Sequence, residues 1–204
     1  MSATPATVPI PVEPPEVEAR VITVGSYLAA AAVAFFFLAF LFAFLYLRAL
    51  NNNGLWGGGK AGHHVHAARI AGIVILVCVL ASVALIRLAL AEVRRGARQM
   101  WLLAGWIALA LGLAAVGVQC WQYTALGFGP GDGGYASVYL AWTGFFTIFV
   151  LGAMLWLEAM LASAQRGSSV ARGHLDADIA AFSLVWTMLG IVEVAAFILL
   201  FVVE

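Results

Sequence analysis

Apolar residues run almost unbroken through five stretches, approximately Thr23–Leu47, Ala68–Ala91, Trp101–Thr124, Tyr135–Leu161 and Ile179–Val203. Crossing about 30 Å of hydrocarbon takes about 20 such residues in a helix, because only a helix satisfies its own backbone hydrogen bonds there. The pattern predicts an all-α polytopic membrane protein, a five-transmembrane-helix bundle over 23–47, 68–91, 101–124, 135–161 and 179–203, with no soluble domain. Between the runs, "NNNGLWGGGKAGHHVH" is rich in Gly and Asn, "EVRRGARQ" is short and basic, and "LGFGPGDGG" is a Gly/Pro turn cluster. The last connection, "SAQRGSSVARGHLDAD", ends in Asp residues that suit a helix N-terminus. The first twenty residues are rich in Pro, Val, Glu and Ala and lack the basic start and short apolar core of a cleaved signal. They predict a disordered or extended cytoplasmic tail over 1–22.

Composition agrees with the pattern: 64% of residues are hydrophobic and 10% charged, far from the averages of a soluble domain. Lys plus Arg and Asp plus Glu stand at ten each, so no overall charge points to nucleic acid or to an acidic substrate. Charge reports topology instead. Five spans put Arg20, Arg94, Arg95, Arg98, Arg166 and Arg172 on one side, and Arg48, Lys60 and Arg69 on the other. The excess of basic residues on the inner side predicts a cytoplasmic N-terminus and an external C-terminus. Arg87, near the cytoplasmic end of the second span, can snorkel to the interface.

Few residues are equipped for chemistry. His63, His64 and His66 cluster as HHxH in a Gly-rich loop, and His174 falls on the opposite side of the membrane, so solvated loop histidines are the expected reading over a rigid metal site. No histidine lies in a span, which leaves no intramembrane haem or copper ligand of that type. Cys78 and Cys120 sit in apolar runs, where a thiol acts as a small hydrophobe. Glu193, well inside the last span, is costly in lipid and must face protein or water. It shares a helical face with Trp186 and Gly190, and Ser183 and Thr187 are its nearby polar residues in sequence. A protonated or hydrogen-bonded carboxyl at a helix or subunit interface is expected, with a proton or ion relay as the functional counterpart. Glu158 is expected at the interface.

Gln119 and Gln122 share one face of the third span and can hydrogen-bond across helices. Ala104, Ala108 and Gly112 recur every four residues there and form a small-residue ridge for close helix approach. In the first span, Ala30 and Ala34, then Ala39 and Ala43, offer the same spacing, and Phe35, Phe36, Phe37, Phe40, Phe42 and Phe44 surround the helix. There is no GxSxG, Walker loop, HExxH or paired acid constellation, so the isolated chain is not expected to be an enzyme.

From Gln119 the chain reads "QCWQY", a short glycine-rich loop, then "GYASVYLAWTGFFTIFV". This resembles subunit III of the haem-copper oxidases, in which a Gln-x-x-Glu-Tyr helix end precedes a loop, Tyr-Gly-Ser and Thr-Gly-Phe-His-Gly-Leu-His-Val. Gln119 and Tyr123 match the first element; Tyr135, Ser137, Thr143, Gly144, Phe145 and Val150 match the second. The resemblance runs from about Val24 to Val203 and fits short bacterial members with five helices. "FAFLYLRA" at the end of the first span is similar to the family's first helix in such versions. Departures are equally specific. The motif acid is Gln122 here, the two motif histidines are Phe146 and Phe149, and the family's polar final-helix motif keeps only its first tryptophan, as Trp186.

The resemblance implies a non-catalytic accessory subunit of a bacterial terminal oxidase in the inner (cell) membrane. No cofactor is expected on this chain: haem and copper belong to partner subunits, above all catalytic oxidase subunit I. Packing, assembly and binding of structural phospholipid and other membrane lipids are the expected roles, with no nucleic-acid partner. With the motif histidines replaced, Phe146 and Phe149 are expected to build an apolar wall. The family also includes accessory chains of nitric oxide reductases, and a small transporter or ion-conducting bundle centred on Glu193 is the alternative of a different class.

Overall fold

The computed structural model describes residues 14–51, 54, 56–57, 67–166 and 175–203. All secondary structure among them is helical. Five helices are long and apolar enough to cross a membrane: α1, Pro15–Ala49; α2, Arg69–Arg94; α3, Arg98–Ala125; α4, Gly134–Gln165; and α5, Leu175–Phe197, which continues into a π-helical turn, Ile198–Val202.

α1 starts eight residues before the expected span, which corrects the boundary of the expected tail (1–22): residues 15–22 are helical, and residues 1–13 lie outside the described part. The local cause is at its N-terminus. Pro15 occupies the first turn, where its missing N–H costs nothing, and Glu16 and Glu18 sit at the positive end of the helix dipole. At 1.5 Å per residue its 35 residues reach about 52 Å, more than the hydrocarbon thickness, so α1 extends beyond the apolar layer.

Contacts order the helices as a ring, α1–α5–α2–α3–α4 and back to α1, with α4 and α5 also meeting across it. α5 is the centre of the bundle: half of its apolar window is buried against 17% for α1. Trp186, Leu189, Phe182 and Leu200 from this last segment are almost fully enclosed. The outer face of α1 leaves Leu28, Phe35 and Phe42 exposed.

Two devices tie the loop ends together at the side where α1 ends. Trp56, in the connection after α1, is buried; its ring lies edge-on to Phe44 at 5.0 Å and to Tyr135 at 6.0 Å. Its carbonyl accepts the Tyr135 N–H at 3.1 Å, while the Asn51 side chain accepts the Trp56 N–H at 3.0 Å. A Cβ on Gly134 would stand 3.0 Å from the same indole, so this glycine permits the plug. The second device holds the π-helical turn, whose altered register frees backbone carbonyls. Arg69 donates to Phe201 O at 2.6 Å and the Tyr135 hydroxyl to Leu200 O at 2.9 Å. Gly72 lets the Phe201 ring close on α2; a Cβ there would meet the ring at 2.7 Å.

Candidate functional site

Three of the polar residues singled out in sequence, Gln119, Tyr123 and Thr143, converge where α3 meets α4. Tyr123 of α3 donates to Thr143 Oγ1 of α4 at 2.8 Å, and Thr143 in turn donates to Tyr139 O, one helical turn back, at 2.7 Å. Thr147 donates to Thr143 O at 2.8 Å. Gln119, one turn before Tyr123, is buried beside the Tyr139 side chain, and Glu193 is buried on α5. Neither Gln119 Nε2 nor the Tyr139 hydroxyl completes a hydrogen bond, although both are enclosed. A polar core of Gln119, Tyr123, Tyr139, Thr143 and Thr147 is therefore built into an otherwise apolar bundle.

The other motif positions serve neighbouring tasks. Gln122 turns away from this core and donates from Nε2 to Ala68 O, at the start of α2, at 3.2 Å. Ser137 donates to Gly133 O at 3.0 Å and anchors the turn before α4, where Gly133 adopts φ 139°. Gly144 faces the Tyr123 hydroxyl, 3.9 Å from where a Cβ would stand. Phe145 is part-exposed and packs on Phe36 and Phe40 at 5.2 and 5.7 Å.

The expected apolar wall is present. Phe146 meets Phe37 at 6.2 Å, and Phe149 meets Phe36 and Phe37 at 5.3 and 5.5 Å, so the two positions matching the family's histidines lie in an aromatic seam between α4 and α1. Phe37 and Phe44 face inward, whereas Phe35 and Phe42 point outward. Below this seam α1, α4 and α5 frame a groove of about 540 Å³ lined by apolar residues including Ala32, Phe36, Phe149, Trp156 and Leu189.

The ridge on α3 is internal to the chain. Ala108 is fully buried against α2, where Ser82 donates to its carbonyl at 2.9 Å, and Gly112 opens toward α4, with Met154 occupying the space a Cβ would take. Ala104 is half-buried, and Gly105, which the alanine pattern does not single out, is the second close approach: a Cβ there would lie 2.7 Å from Leu161.

Trp186, Gly190 and Glu193 do share the buried side of α5. Trp186 donates from Nε1 to Ser82 Oγ at 3.1 Å, and a Cβ on Gly190 would stand 3.0 Å from Val83. Ser82 thus joins α5, α2 and α3 through one hydroxyl; a lone serine in an apolar run gave no signal beyond its polarity. Arg87 does more than snorkel, since its Nε donates to Thr187 Oγ1 of α5 at 3.2 Å while the side chain stays exposed. Glu158 is exposed. Cys78 and Cys120 are free thiols.

His63, His64, His66 and His174 lie outside the described residues. Among the described residues, no group of His, Cys, Asp and Glu is placed to hold a metal ion.

Replacing Tyr123 by Phe tests how much the α3–α4 hydroxyl contact contributes. Side-chain hydrogen bonds between membrane helices average about 0.6 kcal/mol and reach about 1.7. Tyr123→Phe is therefore expected to lower unfolding free energy within that range in a mixed-micelle detergent titration. A larger loss would mean that Thr143 cannot adapt once its partner leaves.

No family model matches the chain, and neither does any curated protein.

Proposed function

We propose that this chain is a non-catalytic, subunit III-like accessory subunit of a bacterial haem-copper terminal oxidase. It would support assembly, lipid binding and stability of a complex that reduces dioxygen with proton translocation in aerobic respiration. One observation carries the reading: the two separate stretches that bear the resemblance make contact in space, Tyr123 with Thr143 and Gln119 beside Tyr139. Three of the matched positions, Gln119, Tyr123 and Thr143, thereby meet in one polar core.

The remaining assignments follow from that reading. Haem and copper reside in partner chains, catalytic subunit I first among them, and the exposed apolar face of α1 offers a surface for a membrane partner or lipid. The groove between α1, α4 and α5 suits phospholipid acyl chains, being apolar and open along helices that span hydrocarbon. Arg20, Arg94, Arg95 and Arg166 gather at one end of the bundle and Arg48 and Arg69 at the other, which favours a cytoplasmic N-terminus in the inner membrane.

Affinity purification of the tagged chain in mild detergent tests the proposal. Co-purification of a large polytopic partner with a haem spectrum is the expected result, and gas-consumption assays then separate a dioxygen-reducing complex from a nitric oxide reductase. Glu193→Gln should leave both co-purification and gas consumption essentially unchanged, because the amide keeps the volume and hydrogen-bonding capacity of the acid. A colourless, single-component preparation obtained under complex-preserving conditions would overturn the accessory reading. The burial of Glu193 within the last span favours the second reading, a small transporter or ion-conducting bundle, in which the isolated chain supports uptake that Glu193→Gln abolishes.

A further inference from the structure

A small, partly open cavity lies between α2, α3 and α4, lined by Gln119 and Thr147 and by five apolar residues, among them Ile75, Ala115 and Phe146. Its volume of about 10 Å³ is at the threshold for one water molecule. Size alone would not distinguish a wet cavity from a dry one, because apolar voids of this kind stay empty. Its two polar residues decide the matter. Gln119 Nε2 is a buried N–H donor that completes no hydrogen bond, even with the Tyr139 hydroxyl beside it, and leaving such a group unsatisfied costs about 1–3 kcal/mol. Thr147 has given its hydroxyl hydrogen to Thr143 O, so its oxygen keeps lone pairs available as an acceptor.

We infer that this cavity is a hydration site that holds one water, accepting from Gln119 Nε2 and donating to Thr147 Oγ1. The chemistry selects water over a metal or sodium ion: an N–H donor repels a cation, and the lining provides no carboxylate. Two partners meet the minimum that a buried water requires. The bound water extends the polar core laterally toward α2. It joins Gln119, beside Tyr139, to Thr147, so these groups form one hydrated cluster instead of separate helix-pair contacts. The inference rests on cavity geometry and donor accounting alone and stands apart from the oxidase reading.

Water-to-amide magnetization transfer on protein in nanodiscs, with the glutamine side-chain amides labelled with nitrogen-15, tests this directly. The Gln119 amide, assigned by its loss in Gln119→Leu, is expected to show transfer from a long-lived water. Ala115→Leu fills the cavity from its apolar side and should abolish that transfer. Thr147→Val keeps the side-chain shape, removes the acceptor and should weaken it at least severalfold, which provides an independent answer if Ala115→Leu does not fold. Absence of transfer to Gln119 in the unmodified protein would overturn the inference, as would transfer that persists undiminished in both Ala115→Leu and Thr147→Val.

Discussion

Gly112→Arg is expected to abolish recovery of folded, monodisperse protein, and to do so in the isolated chain, without any partner subunit. The space beside the Gly112 Cα belongs to the Met154 side chain of α4, so any substituent on α3 at this position must displace it. Overpacking of a filled site costs about 1–3 kcal/mol, and a guanidinium near the middle of a span adds about 2.5–3.5 kcal/mol on insertion scales. Together these come to about 3.5–6.5 kcal/mol, which reaches the lower end of the stability of an ordinary domain, about 5–15 kcal/mol. Gly112→Leu separates the two contributions by adding bulk without charge. Its loss of about 1–3 kcal/mol should be largely recovered in Gly112→Leu/Met154→Ala, where the shortened partner vacates the space. Fluorescence-detected size-exclusion chromatography reads the Arg variant, and a detergent unfolding titration reads the Leu pair. A folded, monodisperse Gly112→Arg protein would show that α3 and α4 can part at this point without loss of the bundle.

That result would also locate the ridge in a way the sequence does not. Ala104, Ala108 and Gly112 announce close approach by their spacing, yet spacing cannot say whether the approaching helix belongs to the same chain. Ala108 meets α2 through Ser82, and Gly112 meets α4 through Met154, so one ridge serves two intramolecular contacts.

The spans were legible because lipid imposes one rule on all of them: a long apolar run must be a helix. Where a helix extends beyond that rule, hydropathy is silent. Residues 15–22 are helical on the strength of Pro15 at the first turn and of Glu16 and Glu18, local signals outside any apolar run. Trp56 was hidden for a related reason. A single tryptophan in a Gly- and Asn-rich connection looks like a loop residue until Gly134, Tyr135 and Phe44 surround it. Gln119, Tyr123, Thr143 and Glu193 could be named from polarity and from the family resemblance. Their pairing depends on how α3, α4 and α5 are rotated about their axes, and the nearly uniform apolarity of these helices leaves that rotation unencoded in any simple periodicity. Tyr139 and Thr147 were missed because they lie outside the motif positions, and only the rotation of α4 brings them to Gln119.

Trp186→Ala is the second large effect expected, about 3–5 kcal/mol, the range for truncating a buried aromatic to alanine. Trp186 is fully buried at the centre of the bundle, its ring stacked on Phe182 at 6.0 Å and its Nε1 donating to Ser82. Two contributions are therefore mixed in the alanine variant, and Trp186→Phe divides them. Phenylalanine retains most of the ring volume against Phe182 and loses the hydrogen bond, so its cost should fall near the interhelical average of about 0.6 kcal/mol and below about 1.7. Ser82→Ala should cost somewhat more, because it leaves the enclosed indole N–H without an acceptor, a penalty of about 1–3 kcal/mol. The predicted order of destabilisation in one detergent titration is Trp186→Ala, then Ser82→Ala, then Trp186→Phe. That order follows from packing as the dominant contribution, since lipid gives helices little hydrophobic reason to associate and leaves close contact to hold them together. If Trp186→Phe instead matched Trp186→Ala, the Ser82 hydroxyl, linking α5 through Trp186 to the Ala108 carbonyl of α3, would be the element that fixes the bundle.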